Sequence, residues 1–259
     1  MELAQLLSGF VVGAIVGITG VGGGSLMTPL LVLLFGVAPA AAVGTDLLYA
    51  AITKSGGTVV HARRGNVEWQ IVGLLAAGSL PAALLTVYAI AHFAPAGLGG
   101  ASKIITVALG FALLLTAAAL IFRQRLQAWG QARNAAAMSS RRRAVWTVIV
   151  GAALGSLVAL SSVGAGALGV TALFMLYSRL PAIRVVGTDL AHAVPLTLAA
   201  GIGHWWLGNI NWTLLGTLLI GSLPGIFIGS HFAQRIPEKI LRPALAGMLV
   251  LVGAKLIAT

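Results

Sequence analysis

The pentapeptide V-G-T-D-L occurs twice, at Val43–Leu47 with Asp46 and at Val186–Leu190 with Asp189, so two of only five acidic residues stand in the same apolar setting. Each lies roughly 9 Å inside its apolar run at about 1.5 Å of helical rise per residue. Ionisable groups at such depth usually serve transport or proton movement. A second use stays open: Thr45-Asp46 and Thr188-Asp189 would cap a helix that starts later, their side chains taking its first amides. Lys54 is the only lysine well inside an apolar run, about 14–21 Å from either edge on helical rise. Its stem cannot carry the charge to water from there, so it calls for an acidic partner, a wet cavity or an anionic substrate. His192 follows Asp189 by one helical step on the same face. It offers either a proton relay near neutral pH or a hydrogen-bonded core histidine.

These residues belong to a duplicated chain. The aspartates are 189 − 46 = 143 residues apart, and the same spacing relates Gly44 to Gly187, His61 to His204, Gly65-Asn66 to Gly208-Asn209, Trp69 to Trp212, and the G-S-L-P runs at 78–81 and 221–224. Upstream, Thr19-Gly20-Val21-Gly22-Gly23-Gly24 matches Ser161-Ser162-Val163-Gly164-Ala165-Gly166 at 161 − 19 = 142, so the second copy gains one residue near Arg184. The duplication is incomplete where chemistry is concerned, because Lys54 is matched by Thr197 and His192 by Tyr49.

With 59% hydrophobic and 8% charged residues and a mean hydropathy of +1.01, the chain cannot be an ordinary soluble domain, in which about a quarter of residues are charged. It reads as an integral membrane protein. Leu3–Gly20 lacks a basic leader and a cleavage site, and is expected to be mature protein. The net charge of +11 comes from arginines and lysines between or at the edges of apolar runs, the distribution of a topology signal. No basic stripe with interleaved aromatics points to nucleic acid. The chain has no cysteine, hence no disulfide, thiol nucleophile or Cys-type zinc site. His61, His92, His204 and His231 sit at span ends without a close cluster, so no metal site and no cofactor are expected. No nucleophile and base stand at a recognised spacing, no catalytic residue is assigned, and an enzyme is not expected. With no P-loop pattern, a primary pump would need another subunit.

Ten apolar segments can be read, five per copy: about 3–20, 25–35, 40–60, 69–91 and 103–122, then 145–161, 167–177, 183–203, 212–233 and 240–258. The expected fold is therefore all-α, with eight to ten membrane crossings. The repeats are 1–122 and 145–259, joined by the basic linker 123–144. Segments two and seven are too short to cross comfortably and follow Gly-rich breaks, so each is expected to form a broken or re-entrant hairpin with the segment before it. Five segments per copy would place equivalent parts on opposite sides of the membrane. With Arg123–Arg143 in the cytoplasm, the other basic loops also fall inside and both termini outside. Inverted repeats with discontinuous helices typify secondary transporters, which bind substrate near the midplane.

At Gly20–Ser25 and Ser162–Ala167 a helix would begin at membrane depth, where its unpaired amides and positive dipole end favour an anion. Close helix packing through small residues is the alternative reading. Trp69, Trp205, Trp206 and Trp212 read as interfacial anchors, and Pro81 and Pro224 as kinks in the fourth spans.

Together, the G-V-G-G-G-S element at 20–25, the repeated V-G-T-D, the repeated G-N and the hairpins make the chain resemble the TauE/SafE family of sulfite exporters, over nearly its whole length. The resemblance implies a multi-pass protein of the bacterial inner membrane that exports sulfite or a small organosulfur anion such as sulfoacetate. On that reading the substrate lies between the hairpin tips. It would be held by backbone amides of Gly22, Gly23, Gly24 and Ser25 and of Gly164, Ala165, Gly166 and Ala167, with the hydroxyls of Thr19, Ser25, Ser161 and Ser162. Thr45 and Thr188 would add substrate contacts and, with Asp46 and Asp189, brace the tips or move protons, while Lys54 and His192 complete the charged set. The second tip departs from the first by reading V-G-A-G-A, so the half-sites need not bind equally. A cation or metal transporter using the paired aspartates is the competing class, and a scaffold without a path the third.

Overall fold

The structure, a computed structural model, describes residues 2–19, 24–33, 35–93, 97–134, 139–164, 166–232 and 238–258. The described residues form ten helices and no strand: α1 (Glu2–Thr19), α2 (Gly24–Leu33), α3 (Pro39–Arg63), α4 (Trp69–Phe93), α5 (Gly97–Asn134), α6 (Ser140–Ser161), α7 (Ala167–Leu176), α8 (Ala182–Trp206), α9 (Trp212–Phe232) and α10 (Glu238–Ala258). Each apolar run became one helix, the form that satisfies every backbone group within its own segment. By length and composition, three stretches of the described residues are fit to cross a membrane: Trp69–His92, Ser140–Ser161 and Ala182–Trp206. Shorter apolar helices cover Thr106–Phe122, Ala167–Leu176, Trp212–Ile228 and Ala246–Ala258. Their outward faces carry exposed Leu85, Tyr88, Phe111, Ile220, Phe227 and Leu251, a surface suited to lipid. The four tryptophans expected as anchors are likewise exposed.

Much of the stretch 123–144 is helical, because α5 continues to Asn134 and α6 starts at Ser140. Arg, Gln, Leu and Ala, which dominate 123–134, are good helix formers. The repeated aspartates do not cap a late-starting helix. α3 and α8 begin at Pro39 and Ala182, and Asp46 and Asp189 lie inside them, where preceding turns already take the amides.

The repeated Gly-Asn marks where those two helices stop. Gly65 and Gly208 adopt φ of 68° and 73°, which glycine takes without steric cost. Gly65 and Asn66 donate to the carbonyls of Ala62 and His61, and Gly208 and Asn209 to those of Trp205 and His204. This is the Schellman closure of a helix C-terminus, made twice.

Packing recurs with the halves exchanged: α1 lies on α9 as α6 lies on α4, and α3 pairs with α8 as α5 pairs with α10. The first two interfaces are built on small residues. A Cβ at Gly9 or Gly13 would meet the backbone of Leu218 or Ser222, and one at Gly151 or Gly155 that of Leu75 or Ser79. Such close backbone approach is how helices associate where no hydrophobic force separates them from lipid. α3 and α8 run antiparallel, since Gly44 meets Asn209, Leu48 meets Gly201, Gly57 meets Leu190, and Gly187 meets Asn66 and His61.

Candidate functional site

α3 and α8 cross at the centre of the molecule and bring the repeated acids together with the lysine. Asp46 is fully buried. Its Oδ2 accepts a 2.5 Å hydrogen bond from Thr28 Oγ1 on α2. Ser162, just past the end of α6, stands beside the same carboxyl, yet its Oγ makes no hydrogen bond among the described residues. Asp46 thus touches α2 of its own half and the α6–α7 turn of the other.

Asp189 is placed differently. It lies against α7, where a Cβ at Gly169 would collide with Oδ1, and the Gly166 amide at the start of α7 faces its carboxylate. The positive end of a helix therefore points at this acid. Lys54 is 4% exposed and lies within electrostatic reach of both Asp46 and Asp189. The two acids around this cation come one from each half.

The G-S-L-P runs add a reciprocal pair of contacts. His192 Nε2 and Ser79 Oγ are 2.8 Å apart. At the equivalent place in the other half, the Tyr49 hydroxyl faces Ser222 without closing a hydrogen bond. His192 also feels Lys54, which joins it to the acid and lysine cluster. The hydrogen-bonded reading of His192 describes its Nε2; Nδ1 is buried and without a hydrogen bond among the described residues.

Thr45 and Thr188 each take a hydrogen bond across the halves. Thr45 Oγ1 accepts the Asn211 amide at 3.1 Å and Thr188 Oγ1 the Glu68 amide at 3.0 Å. Each hydroxyl thereby holds the residue just before α9 or α4, and the Asn211 side chain caps α9 by accepting the Leu214 amide at 3.0 Å. Arg184 adds a 2.6 Å ion pair with Glu68.

At the second tip Ser162 is left-handed, with φ of 57°, and Gly164 and Gly166 both have φ of 124°. The turn therefore needs small residues. Ser161 Oγ bonds the Leu157 and Val163 carbonyls, so it braces the turn, and Ala167 opens α7. Ala165 lies outside the described residues. So do Gly20–Gly23 of the first tip, and nothing is described of the side chains of Thr19 and Ser25. Gly24 opens α2. Among the described residues no group of three or more His, Cys, Asp or Glu is placed to hold a metal ion.

Sequence reasoning did not single out Thr28, Ser79 and Ser222 as parts of this cluster. The repeated G-S-L-P held a signal for the serines. Thr28 had none, because the 142 spacing matches it to Val170.

A helical bundle with an apolar exterior and a charged centre drawn from two like halves is the build of a membrane transport protein. The chain belongs to the family described as "Sulfite exporter TauE/SafE", whose model matches residues 5–256. It is 39% identical over 257 residues to the probable membrane transporter protein YjnA of Bacillus subtilis, covering 99% of this chain and 100% of that one. It is 31% identical over 255 residues to the probable membrane transporter protein YdhB of the same organism, covering 93% and 97%. An archaeal relative, the probable membrane transporter protein MJ0441 of Methanocaldococcus jannaschii, is 24% identical over 264 residues, covering 96% and 92%. No solved structure matches the chain.

Proposed function

We propose that this protein is a secondary transporter that exports sulfite or a related small sulfur-containing anion across the bacterial inner membrane. The observation that carries the reading is that Lys54 is buried within electrostatic reach of an acid from each half, one of them beside the α6–α7 turn. A substrate held there would touch both halves, so a rocking of one against the other would turn it from one side to the other. The tips Gly22–Ser25 and Gly164–Ala167 supply amides, Ser162 a hydroxyl, and Lys54 the charge that favours an anion. The antiparallel crossing of α3 and α8 supports reading 1–122 and 145–259 as inverted repeats, with 123–144 cytoplasmic and both termini outside. Proton coupling falls to Asp46 and Asp189.

Flux of radiolabelled sulfite in proteoliposomes tests the substrate, with sulfate, sulfoacetate and divalent cations as competitors. Saturable sulfite flux that divalent cations leave unchanged is expected. A second reading rests on the carboxylate oxygens Asp46 Oδ1 and Asp189 Oδ1, buried without a hydrogen bond among the described residues, which a cation would satisfy. Competition by divalent cations, with none by any anion, would select it.

A further inference from the structure

The cluster is unbalanced in a way that specifies its ligand. Among the buried polar atoms that make no hydrogen bond among the described residues, five belong to the acids and their immediate surroundings: Asp46 Oδ1, Asp189 Oδ1, Ser162 Oγ, Tyr49 Oη and His192 Nδ1. All five residues are at most 2% exposed. Ser162 and Tyr49 can donate, and Lys54 brings donors and a positive charge. These suit the oxygens of an anion. The two carboxylate oxygens can only accept, and an anion with nothing to donate would leave them unsatisfied and repelled.

We infer that the transported species is an oxyanion carrying an acidic hydroxyl, whose proton is given in hydrogen bonding to Asp46 Oδ1 or Asp189 Oδ1 while its other oxygens take donors from Lys54, Ser162 and Tyr49. This rests on the anion-transport reading and narrows it. The charged and titratable groups around the acids and the lysine are Asp46, Tyr49 and Lys54 on α3 and Asp189 and His192 on α8, with His61 and His204 farther along the same helix pair beside Gly187 and Gly44; Thr28 of α2, Ser79 of α4, Ser162, Gly166 and Gly169 of the α6–α7 turn and α7, and Ser222 of α9, which pack there, are neutral. With one lysine for two acids, an acidic proton on the substrate supplies what the cluster lacks. Hydrogensulfite has such a proton, whereas sulfate and ordinary alkylsulfonate ions do not. Discrimination of this kind is strong, because a buried acceptor built for a hydroxyl is left unmade by the analogue without one.

The test pairs anions of like shape and charge that differ in that proton. Purified full-length protein is titrated calorimetrically with the methylphosphonate monoanion and with methanesulfonate, at a pH where each carries one negative charge. Methylphosphonate is expected to bind at least about tenfold more tightly. Asp46→Asn and Asp189→Asn each turn a buried acceptor into a group that also donates, so at least one should lower that ratio at least about tenfold, chiefly by improving methanesulfonate. A merely structural aspartate would weaken both ligands alike. Equal binding of the two anions to the native protein, or preference for methanesulfonate, overturns the inference and leaves anion transport standing. Failure of both anions to bind overturns the inference, and binding of a divalent cation in their place overturns the anion reading as well. Should both variants fail to fold, the comparison on the native protein decides alone.

Discussion

The two halves share a frame but not a chemistry. Frame contacts occur in reciprocal pairs: Thr45 with the Asn211 amide and Thr188 with the Glu68 amide, Gly13 on Ser222 and Gly155 on Ser79, and two Gly-Asn closures. At the centre the pairs diverge. Asp46 is held by a threonine hydroxyl, whereas Asp189 lies on a glycine. Tyr49 stands opposite His192, and Lys54 opposite Thr197, whose hydroxyl merely returns to the Ala193 carbonyl. A frame constrains geometry and tolerates only its own residues, while a site enclosed by two framed halves can be specialised one side at a time.

Breaking the frame should cost most, and equally in both halves. Gly13→Leu and Gly155→Leu drive a side chain into a facing backbone, where relief requires helices to part. Added methylenes in a packed core cost about 1–3 kcal/mol where side chains can adjust; here a whole leucine side chain meets backbone, so each variant should lose the folded bundle, read as loss of the monodisperse protein peak in detergent. The equivalent glycines Gly73 and Gly216 have nothing within 4 Å, and Leu there should leave the peak intact. A large loss at Gly73 or Gly216 would show that the described contacts are not the ones that matter.

The next effect separates frame from chemistry. Lys54→Thr leaves two buried acids without their shared cation, and removing one member of a buried charge cluster commonly costs about 3–5 kcal/mol. Transport should fall at least about a hundredfold. Residue 197 is the frame equivalent of residue 54, so Lys54→Thr/Thr197→Lys should recover flux well above that of the single variant. No recovery in a folded double variant would mean that the halves are not interchangeable around the acids.

The smallest effect sharpens the frame itself. Thr45→Val and Thr188→Val each remove one acceptor from an amide of the opposite half, worth about 1 kcal/mol. Their thermal midpoints in detergent should drop by similar amounts, with substrate affinity retained. A selective loss of affinity in either variant would return that hydroxyl to the substrate site.

The sequence by itself determined that the chain is helical and apolar, that it is duplicated, and where most helices begin and end. Those properties depend on runs of neighbouring residues and on spacing, which a linear reading contains. It also marked Asp46, Lys54, Asp189 and His192, because charge inside an apolar run is conspicuous without any fold. Tertiary structure alone decided what those groups face. That Thr28 reaches Asp46 depends on how α2 packs on α3, that Ser79 meets His192 across 113 residues on how α4 packs on α8, and that one lysine lies within reach of both acids on how α3 packs on α8. The place of the repeated Thr-Asp within its helix was decided in the same way. Capping and cross-half bonding use the same side-chain atoms, and only the start of α3 at Pro39 and of α8 at Ala182 put those atoms beyond the first turn and turned the threonines toward the other half.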